Sequence, residues 1–295
     1  MKSNKVKLTQ KIYLIKFLKK NNIKARYYGN RNAYFDSLCP VNNLSKNSLA
    51  FLEKKYFLNF KINIERNNSS IIITDNKNDY KVGKNILISN KPRELFIKIL
   101  KILINDHLFK VNSLIYDSKK FQKVNIMNNV KIGKNCKIGS NVYLANCEIG
   151  NNVKIGPNTT IGYEGMTLYK KNKKSVMFPN VGKIIIDDNV TIGSNCSLMR
   201  GSISNTIISK NVSISNQVNI GHNVIILEST IVSSGAQLIG GVSVGSKCML
   251  AAGCKLNANI SIGKNCFVGL GSVVIKNVKK NTKVFGNPAK KISTN

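Results

Sequence analysis

Aliphatic residues recur at every sixth position over most of the chain. Counting in sixes from Ile208 meets an Ile, Leu or Val at every step as far as Val274. With roughly a quarter of residues being Ile, Leu or Val, so long an unbroken run has a chance on the order of one in a million. Shorter stretches between Ile126 and Leu198 keep the same interval with two interruptions. The chain is therefore a repeat protein over most of its length.

An interval of six fits neither an amphipathic helix nor a simple alternating strand. It predicts a short strand followed by a turn, repeated around a triangular prism, with the aliphatic residue pointing inward. Gly, Asn or Asp often follows that residue, which is where the chain must turn. Because each coil stacks its apolar side on the next, stability comes from neighbouring coils rather than from a distant core.

The repeat is absent from the first part of the chain. There KIYLIKFLKKNNI predicts an amphipathic helix, IIITD a strand, and KPRELFIKILKILIND a second helix entered just after Pro92. We expect a small α/β domain over residues 1–110, the prism over 111–280, and a short tail over 281–295. The segment GYEGMTLYKKNKKSVMFPNVGK interrupts the prism as a loop at 162–183. Long loops inside compact repeats are usually functional or disordered.

The charge balance favours an anionic partner in general terms. Forty-six Lys and Arg residues against 13 Asp and Glu residues give a net charge of +33. The lysines are spread along the chain, and no stacking aromatic motif or nucleic-acid reader module accompanies them, which argues against nucleic-acid binding. A solvated basic surface is the expected interpretation of the charge, which would also help to attract anionic substrates or an acidic carrier protein by steering. No signal peptide and no transmembrane segment is predicted, so a cytoplasmic location is expected.

The seven cysteines show neither disulfide nor metal-site spacing. Their number is odd and no CxxC pair occurs. Five of them share one position of the repeat, four residues after the repeat aliphatic, where other repeats have Val, Thr, Ser or Ala. They are Cys136, Cys196, Cys248, Cys254 and Cys266. Buried, reduced thiols are the expected state.

Several segments, taken in order, resemble one enzyme family. They are SLAFLEKKY in the first domain, GYEGMT, PNVGKIIIDDNVTIG, SLMRG, NTIIS and NQVNIGHN. Their order resembles the UDP-3-O-acylglucosamine N-acyltransferases across essentially the full chain, and the repeat resembles the hexapeptide repeat of left-handed parallel β-helices. The resemblance implies a mainly β fold: a left-handed parallel β-helix preceded by the small α/β domain. It also implies a homotrimer with sites between neighbouring subunits, no metal, and no tightly bound cofactor.

The resemblance assigns a general base and an oxyanion donor. His222, in the segment NQVNIGHN, matches the family's general base, whereas His107 has no such context. An amine that attacks a thioester must lose a proton, and imidazole can accept one near neutrality. One coil of eighteen residues further on lies Gly240, whose backbone N–H would hold the oxyanion. The alternatives are that His222 is a wall side chain and that Gly240 only permits a tight turn.

Substrate-binding roles follow from the same resemblance. Phe51 and Tyr56 would sandwich a uracil ring, although either could instead belong to the core. Arg200, Asn223 and Asn259 match further substrate-binding positions. The run KKNKK at 170–174 would hold phosphates or form a solvated loop tip. The chain departs from the family because Asn259 replaces a second histidine, Met199 and Ser215 replace acidic residues, and the C-terminal helices are missing.

The predicted activity is acyl transfer to a sugar nucleotide. An acyl group would move from the phosphopantetheine thioester of an acyl carrier protein to the amine of a UDP-3-O-acyl-glucosamine-type sugar, in lipid A biosynthesis. One alternative is an acetyl-CoA-dependent sugar acetyltransferase for surface polysaccharide, favoured by Asn259 and the GNPAK segment. The other is a non-catalytic hexapeptide binding protein. Replacing His222 with Ala would stop turnover in either enzyme.

Overall fold

The computed structural model describes residues 5–53, 56, 60, 64, 67, 69–75, 85–109, 123–171 and 174–294. The chain divides into two compact units. The N-terminal unit comprises Met1–Lys110 and Tyr169–Val181, and the β-helix unit comprises Val111–Leu168 and Gly182–Asn295. Part of the interrupting loop thus belongs to the N-terminal unit, whereas the sequence prediction placed the whole of 162–183 in the β-helix domain.

The N-terminal unit is a mixed sheet with two α-helices among its described elements. Its elements are β1 (Val6–Tyr13), α1 (Leu14–Lys20), β2 (Arg26–Tyr28), β3 (Tyr34–Leu38), a 3-10 turn (Val41–Asn43), β4 (Ser48–Leu52), β5 (Ile71–Thr74), β6 (Asn85–Ile88) and α2 (Pro92–Asn105). The strand order is β1-β3-β4-β5-β6-β2, with parallel pairing from β3 to β6 and antiparallel pairing at both ends. The β4 and β5 strands contact α2.

The first predicted helix was too long. The sequence predicted a helix over KIYLIKFLKKNNI, but its first three residues end β1, and α1 occupies only Leu14–Lys20. Ile12 is buried and pairs across β1 and β3 with Phe35. That long-range strand pairing outweighs the helical period of the local sequence. The predicted strand IIITD and the second helix occur as β5 and α2.

The β-helix unit has three faces of short parallel strands. Face one contains β7 (Asn125–Ile126), β10 (Tyr143–Leu144), β13 (Thr160–Tyr163), β18 (Ser197–Met199), β21 (Asn219–Ile220), β24 (Gln237–Leu238), β27 (Lys255–Leu256) and β30 (Val273–Val274). Face two contains β8 (Val130–Ile132), β11 (Cys147–Ile149), β16 (Ile184–Ile186), β19 (Thr206–Ile208), β22 (Ile225–Ile226), β25 (Ser243–Val244) and β28 (Ser261–Ile262).

Face three ends in an antiparallel hairpin. It contains β9 (Lys137–Ile138), β12 (Lys154–Ile155), β17 (Thr191–Ile192), β20 (Ser213–Ile214), β23 (Ile231–Val232), β26 (Met249–Leu250), β29 (Phe267–Val268), β31 (Thr282–Gly286) and β32 (Ala289–Thr294). Only β31 and β32 pair antiparallel there. The hairpin occupies most of the predicted tail 281–295. The separate strands β14 (Leu168–Lys171) and β15 (Lys174–Met177) pair within the interrupting loop.

The repeat aliphatics form the core of the β-helix. Ile220 stacks on Leu238 and Leu238 on Leu256, each eighteen positions apart, and all three are buried. One continuous cluster of such side chains runs from Val130 to Val284. The interval of six is therefore the spacing between the inward-pointing positions of successive faces. The predicted left-handed parallel β-helix fold is confirmed.

The cysteines belong to this buried wall. All seven lie within the described part of the chain, are buried, and form no disulfide there. Burial raises the pKa of the Cys147 thiol and, to about 12, that of the Cys254 thiol. The thiols of Cys147 and Cys254 therefore stay protonated at neutral pH and are unsuited to nucleophilic chemistry.

Candidate active site

The regular repeat is broken at one corner, between face one and face two. Ile161 pairs with Leu198, 37 positions later, and Leu198 pairs with Ile220, 22 positions later. The next three coils on face one have the regular eighteen, from Ile220 to Val274. Two insertions therefore lie on successive levels of the same corner, and the turn after β21, on the next level, carries His222.

Asn223 ties the turn to the inserted corner above it. Its Nδ2 donates to the Ser204 carbonyl oxygen at 2.9 Å and to Ser204 Oγ at 2.7 Å. Its Oδ1 accepts from Ser202 N at 3.2 Å and from Ser202 Oγ at 2.7 Å. Its backbone N donates to Thr206 Oγ1 at 2.9 Å. Asn223 has a φ of 60°, a conformation that asparagine tolerates better than most residues.

This network fixes the tautomer of His222. The Ser204 carbonyl oxygen can only accept, so the amide of Asn223 is oriented with its Oδ1 toward the imidazole. His222 Nδ1 lies 3.0 Å from that oxygen. Because Oδ1 also only accepts, Nδ1 must carry the hydrogen. In the neutral imidazole Nε2 then has the lone pair, which is the form needed to take up a proton.

Two glycines lie against the imidazole. A Cβ placed on Gly240 would lie 2.5 Å from His222 Nε2 and 2.6 Å from its Cε1. A Cβ on Gly165, in the interrupting loop, would lie 3.2 Å from His222 Cβ and 3.4 Å from Cδ2. Side chains at either position would therefore press on the ring. The contact with Gly240 agrees with the count of one coil, because the register between β21 and β24 is regular.

The backbone N–H of Gly240 takes no part in the hydrogen bonds between coils. Its neighbours on both sides, Ile239 N and Gly241 N, donate to Leu256 O and His222 O respectively. The carbonyl of Gly240 accepts from Asn259 N at 3.1 Å. Among the described residues, none accepts a hydrogen bond from Gly240 N. Gly240 itself is buried, so this N–H is a donor without an acceptor beneath the imidazole. A donor of that kind can stabilise an oxyanion that comes within reach of it.

Arg200 lies one coil above His222, and its guanidinium contacts other groups of the same chain. Its Nε donates to the Gly182 carbonyl oxygen at 2.7 Å, and its Nη1 lies 4.0 Å from Glu164 Oε1. Burial lowers its pKa to about 10, and the Glu164 carboxylate opposes that shift. Glu164 and Gly182 lie near the two ends of the interrupting loop. The sequence predicted a substrate-binding role for Arg200, and these contacts show that the side chain also clamps the loop.

Asn259 is not beside His222. It lies one coil beyond Gly241, which itself lies one coil beyond Asn223, so two strand spacings of roughly 5 Å each separate Asn259 from Asn223. A Cβ on Gly241 would strike Asn259 Oδ1. The amide therefore projects along the same corner at a lower level. Its predicted substrate-binding role stays a prediction.

The predicted uracil pair belongs to the N-terminal unit. The ring of Phe51 packs against Phe96 with centroids 5.0 Å apart, and the Arg93 guanidinium lies 5.8 Å from the Phe51 centroid. Phe51 is half-buried by these contacts. Tyr56 is exposed, and its backbone N donates to Glu53 O. The run 170–174 lies partly outside the described residues.

Four participants were missed by sequence reasoning. Gly165 touches the imidazole, and Ser202, Ser204 and Thr206 hold Asn223. The segments GYEGMT, SLMRG and NTIIS contain or adjoin these residues, but nothing in them indicates contact with His222. The spacing of six could not place them, because all four lie within or next to the insertions that break it.

No metal site and no membrane-spanning helix is found in the described part of the chain. There, no group of three or more His, Cys, Asp or Glu side chains is arranged to hold a metal ion. None of the described helices is both long and apolar enough to cross a bilayer.

Comparisons with known proteins agree with this architecture. Residues 129–163 match the family described as bacterial transferase hexapeptide (six repeats), and residues 259–277 match the hexapeptide repeat of succinyl-transferase. Among solved structures, a UDP-N-acetylglucosamine acyltransferase of Francisella novicida superposes with a TM-score of 0.54 at 24% identity, covering 58% of this chain and 62% of that chain. The corresponding protein of Bacteroides fragilis gives 0.50 at 20% identity, over 61% and 74%.

Curated relatives at higher identity carry one name. The UDP-3-O-acylglucosamine N-acyltransferase of Fusobacterium nucleatum is 29% identical over 257 residues, which is 72% of this chain and 71% of that protein. A similarly named protein of Wigglesworthia glossinidia brevipalpis is 28% identical over 68% of this chain and 67% of its own length. The match to the enzyme of Herminiimonas arsenicoxydans, 30% identical, spans only 35% of that relative.

Proposed function

We propose, from the premise that the chain is a divergent member of the UDP-3-O-acylglucosamine N-acyltransferase family, that it transfers an acyl group to the amine of a UDP-linked aminosugar. The single observation that carries the proposal is the pairing of His222 with Asn223 above Gly240. An imidazole held as the Nδ1–H tautomer presents a basic Nε2, and beside it lies the backbone N–H of the buried Gly240, which has no acceptor among the described residues.

The chemistry follows from that arrangement. His222 Nε2 takes a proton from the amine while the nitrogen attacks the thioester carbonyl. The N–H of Gly240 donates to the oxygen that becomes negative in the tetrahedral intermediate. When the intermediate collapses, the C–S bond breaks and the protonated Nε2 returns the proton to the departing sulfur. The products are an amide and a free thiol, and His222 is restored.

The interrupting loop supports a long acyl chain rather than an acetyl group. Next to Gly165, which touches the imidazole, Met166 is 71% exposed and Leu168 is 50% exposed. Exposed apolar side chains so close to a reactive group favour an apolar ligand. This observation favours a long-chain thioester over acetyl-CoA. The donor we propose is an acyl carrier protein, attracted to the basic surface, and the acceptor a 3-O-acylated UDP-glucosamine of lipid A synthesis.

Assembly and location complete the proposal. We infer a cytoplasmic homotrimer in which the corner with His222 faces a neighbouring subunit, as the resemblance to the family implies. Phe51 and Tyr56 would contact the uracil, and Asn259 the sugar or donor further along the same corner. No metal is needed for any step.

The test is a substrate matrix with one matched variant. Purified protein is given UDP-aminosugars, with and without a 3-O-acyl group, against acetyl-CoA and hydroxyacyl-carrier protein. Thiol release and product mass are followed for wild type and His222→Ala. We expect transfer only from the carrier protein to the 3-O-acylated amine, and a loss of at least about a hundredfold in the variant.

Other outcomes have distinct meanings. Transfer from acetyl-CoA alone would make the protein a sugar acetyltransferase. If no donor and acceptor pair gives transfer that depends on His222, the enzymatic proposal is wrong, and a non-catalytic binding role replaces it.

A further inference from the structure

The final described coil of the β-helix carries a cavity with a basic rim. The cavity has a volume of about 590 Å³ and lies between the end of face one and the β31–β32 hairpin. Val278 and Val284 form part of its apolar floor and are themselves buried. Five exposed lysines line it: Lys276, Lys279, Lys280, Lys290 and Lys291. We call this surface, residues 274–284 and 288–292, the C-terminal cap.

Within the described part of the chain, no carboxylate balances the charge of the cap. Between Glu228 and Asn295 the sequence holds nine lysines and no acidic residue. No described carboxylate pairs with any of the five lysines of the cavity. Like charges in one cavity repel one another. Binding of an anionic surface relieves this repulsion and is therefore favoured at the cap.

Large exposed apolar side chains accompany these lysines in the cavity wall and in the β31–β32 hairpin. Ile275, in the cavity wall, is 46% exposed, and Ile292, which follows Lys291, is 63% exposed. Phe285 is exposed on β31, opposite Lys290 in the hairpin. Lysines interspersed with exposed Ile and Phe are the composition of segments that lie at a membrane interface, where the apolar groups enter the acyl boundary and the cations contact headgroups.

We propose that the C-terminal cap docks on an anionic lipid bilayer. A soluble phosphate would neutralise the lysines but leave Ile275, Phe285 and Ile292 in water. A bilayer covers both kinds of group at once. The docking is independent of acyl transfer, so it stands or falls on membrane binding alone.

The main difficulty is that any protein with a net charge of +33 is attracted to anionic vesicles, so the test must separate local from general attraction. The cap variant is Lys279→Glu, Lys280→Glu and Lys290→Glu. The control variant is Lys131→Glu, Lys137→Glu and Lys154→Glu, with the same change in charge. Those three lysines are exposed on faces two and three. In the strand order of face three, β12 lies six strands from β31, which is about 29 Å. That distance exceeds the screening length at physiological salt, so a charge change on β12 does not alter the potential at the cap.

The measurement is cosedimentation of the full chain with phosphatidylcholine vesicles, with and without phosphatidylglycerol. We expect binding only to the vesicles with phosphatidylglycerol. The cap variant should bind about a hundredfold more weakly, and the control variant about as well as wild type. Unchanged circular dichroism and melting temperature would show that both variants fold.

A fluorescent reporter checks insertion. The protein contains no Trp, so Ile292→Trp provides a single emission signal, and Ile231→Trp, on face three, provides its control. Anionic vesicles should shift the emission of the Trp at 292 to shorter wavelength and leave that at 231 unchanged.

Two results would overturn the proposal. Equal weakening of the cap and control variants would mean that only the net charge binds vesicles. Wild-type vesicle binding by the cap variant, together with impaired transfer from an acyl carrier protein, would make the cap a docking surface for an acidic protein. Neither result would affect the role proposed for His222, since vesicle binding involves no turnover.

Discussion

Gly240→Ala is the sharpest test of the geometry at the candidate site. The substitution keeps the backbone N–H, so the proposed oxyanion donor is retained. The φ of Gly240 is not among the positive values, so alanine can adopt the backbone without strain. The only new group is a methyl, and it would lie 2.5 Å from His222 Nε2.

The expected loss follows from that distance. Ordinary van der Waals contact begins near 3.4 Å, so the imidazole must move by about 0.9 Å to make room. A misplacement of about 1 Å costs on the order of a hundredfold in rate. That loss corresponds to about 2.7 kcal/mol in the activation free energy. The free energy of unfolding should change by less than about 1 kcal/mol, because a side-chain ring moves rather than the backbone.

The assay compares kcat/KM with the melting temperature, and Gly235→Ala is the control. Gly235 has a φ of 70°, and its nearest neighbour would lie 3.9 Å from the new Cβ. Alanine there should lower stability by about 1 kcal/mol and leave turnover unchanged. If Gly240→Ala retains wild-type kcat/KM, the imidazole over Gly240 is not the reacting base, and the proposed mechanism is wrong.

Three further predictions concern the surroundings of the site. Asn223→Ala should lower the free energy of unfolding by about 2–4 kcal/mol in urea denaturation, because its buried partners lose their hydrogen bonds. Asn223→Gly should lose about 1 kcal/mol less, because glycine adopts the positive φ without strain. Equal losses in the two variants would argue against backbone strain. Arg200→Lys should expose the interrupting loop to chymotrypsin about tenfold faster, because an ammonium group cannot reproduce the guanidinium contacts; an unchanged cleavage rate would exclude the clamp. A thiol reagent should label none of the seven cysteines in the native protein and all of them in guanidinium, and rapid native labelling would contradict their burial.

Regular spacing made the fold predictable, and irregular spacing limited the prediction of the site. Counting eighteen residues from His222 reaches Gly240 correctly because no insertion lies between them. The contact with Gly165 could not be obtained in this way, since 37 positions separate the paired strands around it. The network of Asn223 likewise depends on the four extra residues between β18 and β21.

The N-terminal unit shows a second limit. Residues 11–13 have the local pattern of a helix, and only their pairing with β3 makes them a strand. Phe51 was open to two interpretations, and its contacts with Phe96 and Arg93 are compatible with both. Partners that lie far apart in sequence decided the structure in each case.

Beyond the insertions at the corner between faces one and two the strands stay in regular register, and the only irregularity there among the described residues is a bulge in β13 between Ile161 and Tyr163, where the first insertion begins. Chain length at that corner is therefore decoupled from the height of the stack. New peptide segments could be grafted there, or the existing ones exchanged, without re-engineering the walls of the prism. The coils are thus constant while the inserted corner can vary. A change of substrate preference should therefore be sought by redesigning the insertions rather than the coils.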